Sequence, residues 1–232
     1  MGNISILLYH QVGDTVHTNT NLDCFCDTSN FINQIQALKD NGIQVIALSD
    51  AIELLKGKNR LTNNYVVLTF DDGCEKFYSS IHPILKKYNY PSTIYPVVGS
   101  LGKIATWCNP INPDLKIMSE EQIITLDSEG VEIGAHSVNH YKLDLLEWDD
   151  CTFEIKQSKI YLENLLNKKI KSFSYPHGRF NDEIVDFVKQ IGFENAVTCK
   201  NDFAQNTNSF YELPRKYVTY NDNANSILKK IC

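Results

Sequence analysis

Two aspartates and four histidines carry the chemistry this sequence could do. Asp71 and Asp72 stand side by side where the apolar run Val66–Phe70 meets Gly73. His136 and His140 are four apart in the stretch Gly134–His140. His10 follows the apolar run Ile4–Tyr9, and His177 follows Tyr175 and Pro176. Two imidazoles and one carboxylate make a facial metal-ligand set that leaves positions for water and substrate. Either Asp71 or Asp72 can supply that carboxylate. A divalent cation so held polarises a carbonyl and acidifies water, and a second carboxylate beside it can accept a proton. Each motif alone is weak, since His-x-x-x-His arises by chance and Asp-Asp-Gly favours turns. Their joint placement raises the odds of a metal site.

That placement depends on the elements around them. Ile4–Tyr9, Tyr65–Phe70, Thr93–Val98, Val131–Gly134, Ser172–Tyr175 and Ala196–Thr198 read as buried strands, and Val45–Leu48 as a short one. Apolar spacing predicts a helix over Phe31–Lys39, capped by Asn30. A second helix is capped by Ser49 or Asp50 and ends near Gly57, and a third runs through Ile81–Lys87. Ser119 and Gln122 form a capping box for the next. Asp149–Leu166 reads as a long amphipathic helix, and Asn181 or Asp182 opens another that Gly192 stops. A long loop from Gly99 to about Met118 contains Trp107, Pro110 and Pro113, and loops of that length are commonly functional. Strand alternating with helix implies parallel strands with crossovers, in a doubly wound sheet or a barrel. In either fold, chemistry sits at the carboxyl ends of the strands. His10, the Asp71–Asp72 pair, His136, His140 and His177 all fall there. His17 and His82 do not.

The chain has 232 residues, 43% hydrophobic and 22% charged, which suits one globular domain over 1–232. Its net charge of −6 argues against nucleic acid, which needs a basic stripe; Lys168–Lys171 is only a short basic run. Seven cysteines include no Cys-x-x-Cys pair, and Cys24-Phe25-Cys26 is too tight for structural zinc. Free thiols in a reducing compartment are expected. The apolar run Ile4–Tyr9 is too short for a signal peptide or a span, and Ile6 breaks the myristoylation pattern that Met1-Gly2 opens. A cytoplasmic location is expected.

"LTFDDG", "GAHSVNH" and "FSYPHG", in that order, resemble the polysaccharide deacetylase family, the NodB-homology carbohydrate esterases. The resemblance runs from about Ile4 to Val218. "ILLYHQV" and "LPRKYV" resemble its poly-N-acetylglucosamine deacetylase branch. The resemblance implies a distorted (β/α) barrel of about seven parallel strands. It further implies that Asp71 is the general base and that Asp72, His136 and His140 hold the metal. The metal is Zn²⁺ first, with Co²⁺, Ni²⁺, Mn²⁺ or Fe²⁺ also suited to that set. The Tyr175 N–H is then the oxyanion donor, with Pro176 and His177 lining the pocket. Two departures stand out. The late Leu-x-His acid is missing, and His10 is the substitute, with His177 second. The arginine of the third motif is also missing, and Arg215 can orient Asp71 from another strand end. Trp107 is a candidate sugar contact. Tyr95 reads as core, and Cys74 as a small buried residue.

The implied activity is metal-dependent removal of an N-acetyl group from an amino sugar that is free, nucleotide-linked, lipid-linked or polymeric. Surface-glycan or lipopolysaccharide assembly would be the setting. A hydrolase of a non-sugar amide, or a non-catalytic glycan-binding protein on the same fold, are the rivals. A pure binder has no need for all of Asp71, Asp72, His136 and His140.

Overall fold

The computed structural model describes residues 2–14, 20–57, 61–107, 112, 115–206 and 209–231. Chain order is β1 (Ile4–Tyr9), β2 (Gln11–Gly13), β3 (Phe25–Asp27), α1 (Thr28–Asp40), β4 (Gln44–Val45), α2 (Leu48–Lys56) and β5 (Tyr65–Asp72). A π-helical turn, Phe77–Ile81, leads into α3 (His82–Tyr88). Then come β6 (Thr93–Pro96), α4 (Glu120–Ser128), β7 (Glu132–Ile133), α5 (Trp148–Leu166), β8 (Ser172–Ser174), α6 (Asp182–Gln190), β9 (Asn195–Val197), β10 (Lys216–Tyr217) and α7 (Ala224–Ile231).

The main sheet runs β10-β1-β5-β6-β7, with β4 added along β5. Every ladder in it is parallel, with Leu7 opposite both Leu68 and Lys216, and Asp71 opposite Tyr95. β8 and β9 form a separate parallel pair. Single parallel bridges, Ala135 to Phe173 and Val197 to Leu213, link the two sheets on both sides. The result is an α/β barrel with parallel strands, distorted because those two seams are bridges and not full ladders. Among the described residues, no helix is long and apolar enough to cross a membrane.

Several boundaries differ from the sequence reading. α1 starts three residues before Phe31, because Asp27 caps it by accepting from the Ser29 and Asn30 N–H groups. α2 starts at Leu48, where a strand end was expected. Its first N–H groups, of Leu48 and Ser49, donate to the Glu132 carboxylate on β7, so a residue remote in sequence does the work expected of Ser49 or Asp50. The capping box of Ser119 with Gln122 and the Asn181 cap form as read. Pro110 and Pro113, and His17, lie outside the described residues, as do Cys108 and Cys232. The other five cysteines carry no disulfide.

Candidate active site

Strand alternation builds the floor of the site. In β5, Val66, Leu68 and Phe70 pack into the larger core beneath the helices, while Val67 joins Ile4, Ile6 and Tyr95 in the inner cluster. The period of two then puts Thr69 and Asp71 on the inner face with Val67. In β1, Ile4 and Ile6 face inward, and His10 continues that face. Ser172 and Ser174 share the inner face of β8, because Phe173 between them packs outward.

By the same rule Asp72 should point away from Asp71. It does not, because its φ of 69° is left-handed and breaks the alternation. Both carboxylates therefore reach one imidazole: His136 Nε2 lies 3.9 Å from Asp71 Oδ2 and 3.6 Å from Asp72 Oδ1. Gly73 completes the bend with φ 78°, and a Cβ there would lie 2.9 Å from Pro96. Only glycine combines that conformation with that approach.

Asp71 is held as an anion. Arg215, fully buried, donates Nη1 to Oδ1 at 2.7 Å and Nη2 to Oδ2 at 2.6 Å. The Ser174 hydroxyl donates to Oδ2 at 2.9 Å and accepts from Arg215 Nη2. Arg215 Nε donates to the Thr198 carbonyl, which locks the fork. Burial would raise the Asp71 carboxyl, but the Arg215 and His136 charges outweigh it and hold it below its ordinary value. Such bidentate pairing fixes direction as well as charge.

Asp72, His136 and His140 form a second, different group. His140 Nε2 lies 3.4 Å from Asp72 Oδ1, and one ligand atom from each residue lies within 4.8 Å of the others. His136 Nδ1 donates to the Ser174 carbonyl at 2.8 Å, so its Nε2 is the atom left facing the carboxylates. Asp72 Oδ1 and His140 Nδ1 are buried without a hydrogen-bond partner. Burial pushes the His140 imidazole down to about 3, against the pull of Asp72. Burial also works downward on His136, but Asp71 and Asp72 outweigh it and raise it. Lone-pair donors facing each other at these distances, short of solvent and partners, fit a divalent cation.

The remaining candidates surround this group. The His10 ring stacks on Tyr217 at 5.6 Å, and its Nδ1 is buried and unpartnered. Burial lowers its pKa, with Asp72 and Asp71 opposing. Trp107 and His177 flank His140, with ring centroids at 4.8 and 4.4 Å. His177 is the exposed one of the two. Tyr175 and Pro176 are buried. The Tyr175 N–H faces the Val197 carbonyl at 3.4 Å, a long contact. Burial pushes the Cys74 thiol up to about 12, which suits a buried residue and no nucleophile. Sequence reasoning passed over Ser174, which serves both groups. Its signal was there: Ser172 and Ser174 flank Phe173 at strand spacing.

A barrel of parallel strands carries an arginine-locked carboxylate and a His₂Asp set at its carboxyl edge, and the comparisons specify the family. The chain belongs to the polysaccharide deacetylase family, whose model matches residues 58–196. A Bacillus subtilis protein, YxkH, named as a polysaccharide deacetylase, is 26% identical over 93% of this chain and 71% of its own. A Staphylococcus aureus poly-β-1,6-N-acetyl-D-glucosamine N-deacetylase is 25% identical over 82% of this chain and 67% of its own. The Streptococcus pyogenes deacetylase PplD, solved in complex with acetate, superposes with a TM-score of 0.84 at 27% identity, over 99% of this chain and 98% of that one.

Proposed function

We propose that this protein is a metal-dependent N-deacetylase that hydrolyses the N-acetyl group of an amino sugar within a surface glycan. The observation that carries the reading is the pairing of two unlike carboxylates: Asp71 locked by Arg215, and Asp72 left open beside His136 and His140. Asp72, His136 and His140 would hold the cation, which supplies Lewis-acid polarisation of the acetyl carbonyl and acidifies water.

The chain's own residues do the rest. Asp71, ionised and aimed by Arg215 and Ser174, takes the proton from the attacking water. Arg215 secures aim and charge at the cost of proton affinity, so orientation and not raw basicity is the contribution of Asp71. Neutral His10 takes up the proton that Asp71 removed from water and hands it to the leaving amine, which returns Asp71 to its carboxylate form. The oxyanion donor assigned to the Tyr175 N–H competes with Val197 and must turn from it to act. Trp107 and His177 present ring faces at the mouth, where a sugar can stack.

The substrate class follows the Staphylococcus aureus relative and the acetate bound by the Streptococcus pyogenes neighbour. The test is acetate release from N-acetylated sugars offered free, nucleotide-linked, lipid-linked and as β-linked polymers, with Asp71→Asn as control. Zinc-dependent release from polymer, lost in the control, is expected. No release from any sugar, with tight glycan binding retained, would make the protein a binder.

A further inference from the structure

The loop that joins the two histidine ligands is gripped from behind. Ser137 and His140 have φ of 60° and 61°, and a left-handed residue in such a turn aims successive N–H groups the same way, which makes a cradle for an anion. The anion here is internal. Glu154, in the middle of α5 and 3% exposed, accepts from the Val138 N–H at 2.9 Å and the Asn139 N–H at 2.7 Å through Oε2. Its Oε1 accepts from Asn139 Nδ2 at 2.6 Å. The opposite side of the loop is closed by Gly99, whose N–H donates to the Val138 carbonyl at 2.9 Å. A Cβ on Gly99 would lie 2.6 Å from that oxygen. α5 itself is anchored by Ile155 and Leu162, both in the core.

We propose that Glu154 is a positioning residue for metal binding. Its carboxylate fixes the loop so that the His140 ring meets Asp72 and His136. This rests on the metal reading above and extends it to a residue that touches neither ligand ring. A loop held at its two central N–H groups cannot slide without moving one histidine against the other. Partners that orient ligands in this way typically change metal affinity by roughly 10–100-fold.

The test measures zinc affinity of the full chain by competition with a chromogenic chelator. Amide exchange of Val138 and Asn139 is followed in parallel in the metal-free protein. Glu154→Ala and Glu154→Gln are each expected to lose roughly 10–100-fold in affinity, and Glu154→Ala to expose both amides. Leu162→Ala, on the same helix, should lose stability yet keep wild-type zinc affinity. Glu154→Gln keeps the side-chain volume, so it decides the matter should Glu154→Ala not fold. Gly99→Ala, which pushes the loop from the other side with Glu154 intact, should also weaken zinc binding. Wild-type affinity in the Glu154 variants overturns the proposal. If wild type itself binds no zinc, the metal reading fails instead. The metal-free exchange and the His140–Asp72 distance in a crystal of Glu154→Gln then decide whether Glu154 positions the loop; no change in either overturns it.

Discussion

The two ends of the barrel handle buried polar groups in opposite ways. At the amino ends of β8 and β9, Ser172 Oγ accepts from Tyr95 Oη at 2.7 Å and donates to Asn195 Oδ1 at 2.6 Å. Nearby, Glu132 accepts from two α2 N–H groups and from Thr93 Oγ1. At the carboxyl ends, Asp72 Oδ1, His10 Nδ1 and His140 Nδ1 lack partners. Positive φ also collects there, at Asp72, Ser137, His140 and His177. Satisfied networks specify a fold, whereas strain and orphaned atoms mark places where something else must bind or react. The contrast separates structural polarity from functional polarity within one sheet.

The largest expected effect breaks the contrast at its tightest point, because Arg215 belongs to both categories. Arg215→Ala leaves Asp71 buried and unpaired, and should cost about 3–5 kcal/mol of stability as well as activity. The guanidinium is fully buried, so its removal reaches the fold as well as the site. Asp71→Asn also takes the counter-charge from buried Arg215 but keeps an oxygen that can accept from it, so it should lose less stability than Arg215→Ala, still bind zinc, and cut acetate release by roughly 10²–10⁴-fold. Urea denaturation and turnover, measured on both variants, check this. A stable Arg215→Ala protein would remove Arg215 from the structural side.

Zinc sharpens the comparison next. At a hundredfold excess over Kd, zinc binding should add about 2.7 kcal/mol, or roughly 5–10 °C in Tm for a chain of this size. Asp72→Asn keeps a residue that tolerates the left-handed backbone and should abolish that gain. Metal-free at pH 8, it should differ from wild type by less than about 1 kcal/mol, within the range of ordinary substitutions. Ser172→Ala at the other end should do the reverse. It strands the Tyr95 hydroxyl, costs about 1–3 kcal/mol, and leaves the zinc gain intact. Calorimetry with and without zinc reads all of these.

The same division explains what could be read from the sequence. Asp71, Asp72, His136 and His140 were legible because strand ends and residue types announce them. Arg215 was legible only through its motif, since no local pattern ties it to a strand remote in sequence. The left-handed turn at Asp72 was hidden, although "Asp-Asp-Gly" hinted at it; alternation alone sends the two carboxylates to opposite faces. Glu132 and Glu154 were invisible for a related reason. Each looks like an ordinary acid on its own element, and each acts on backbone N–H groups of another segment. β10, with two residues, is shorter than any periodicity can register, and the segment from Leu213 that carries it is held by β1 and β9.

The smallest effect lies on the rim, where a satisfied pair sits on the reactive side. Arg179 donates Nε and Nη2 to the two oxygens of Asp144, each at 2.7 Å, and so ties the His177 turn to the loop after His140. The pair is partly exposed, Arg179 by 44% and Asp144 by 20%, so Asp144→Asn should cost no more than about 1 kcal/mol. The Arg179 hydrogen bonds lower the Asp144 pKa. Its contribution is therefore present above the unfolded value of roughly 4 and lost as pH falls through the folded one. Stability of wild type and variant, followed from neutral to acid pH, should converge on acidification and again at high salt. Zinc affinity should not change, because the pair secures the rim and not the ligand loop. A loss of zinc affinity here comparable to that of Glu154→Gln would mean that the rim and the ligand loop move as one body, and the line between structural and functional polarity would have to be drawn outside Asp144.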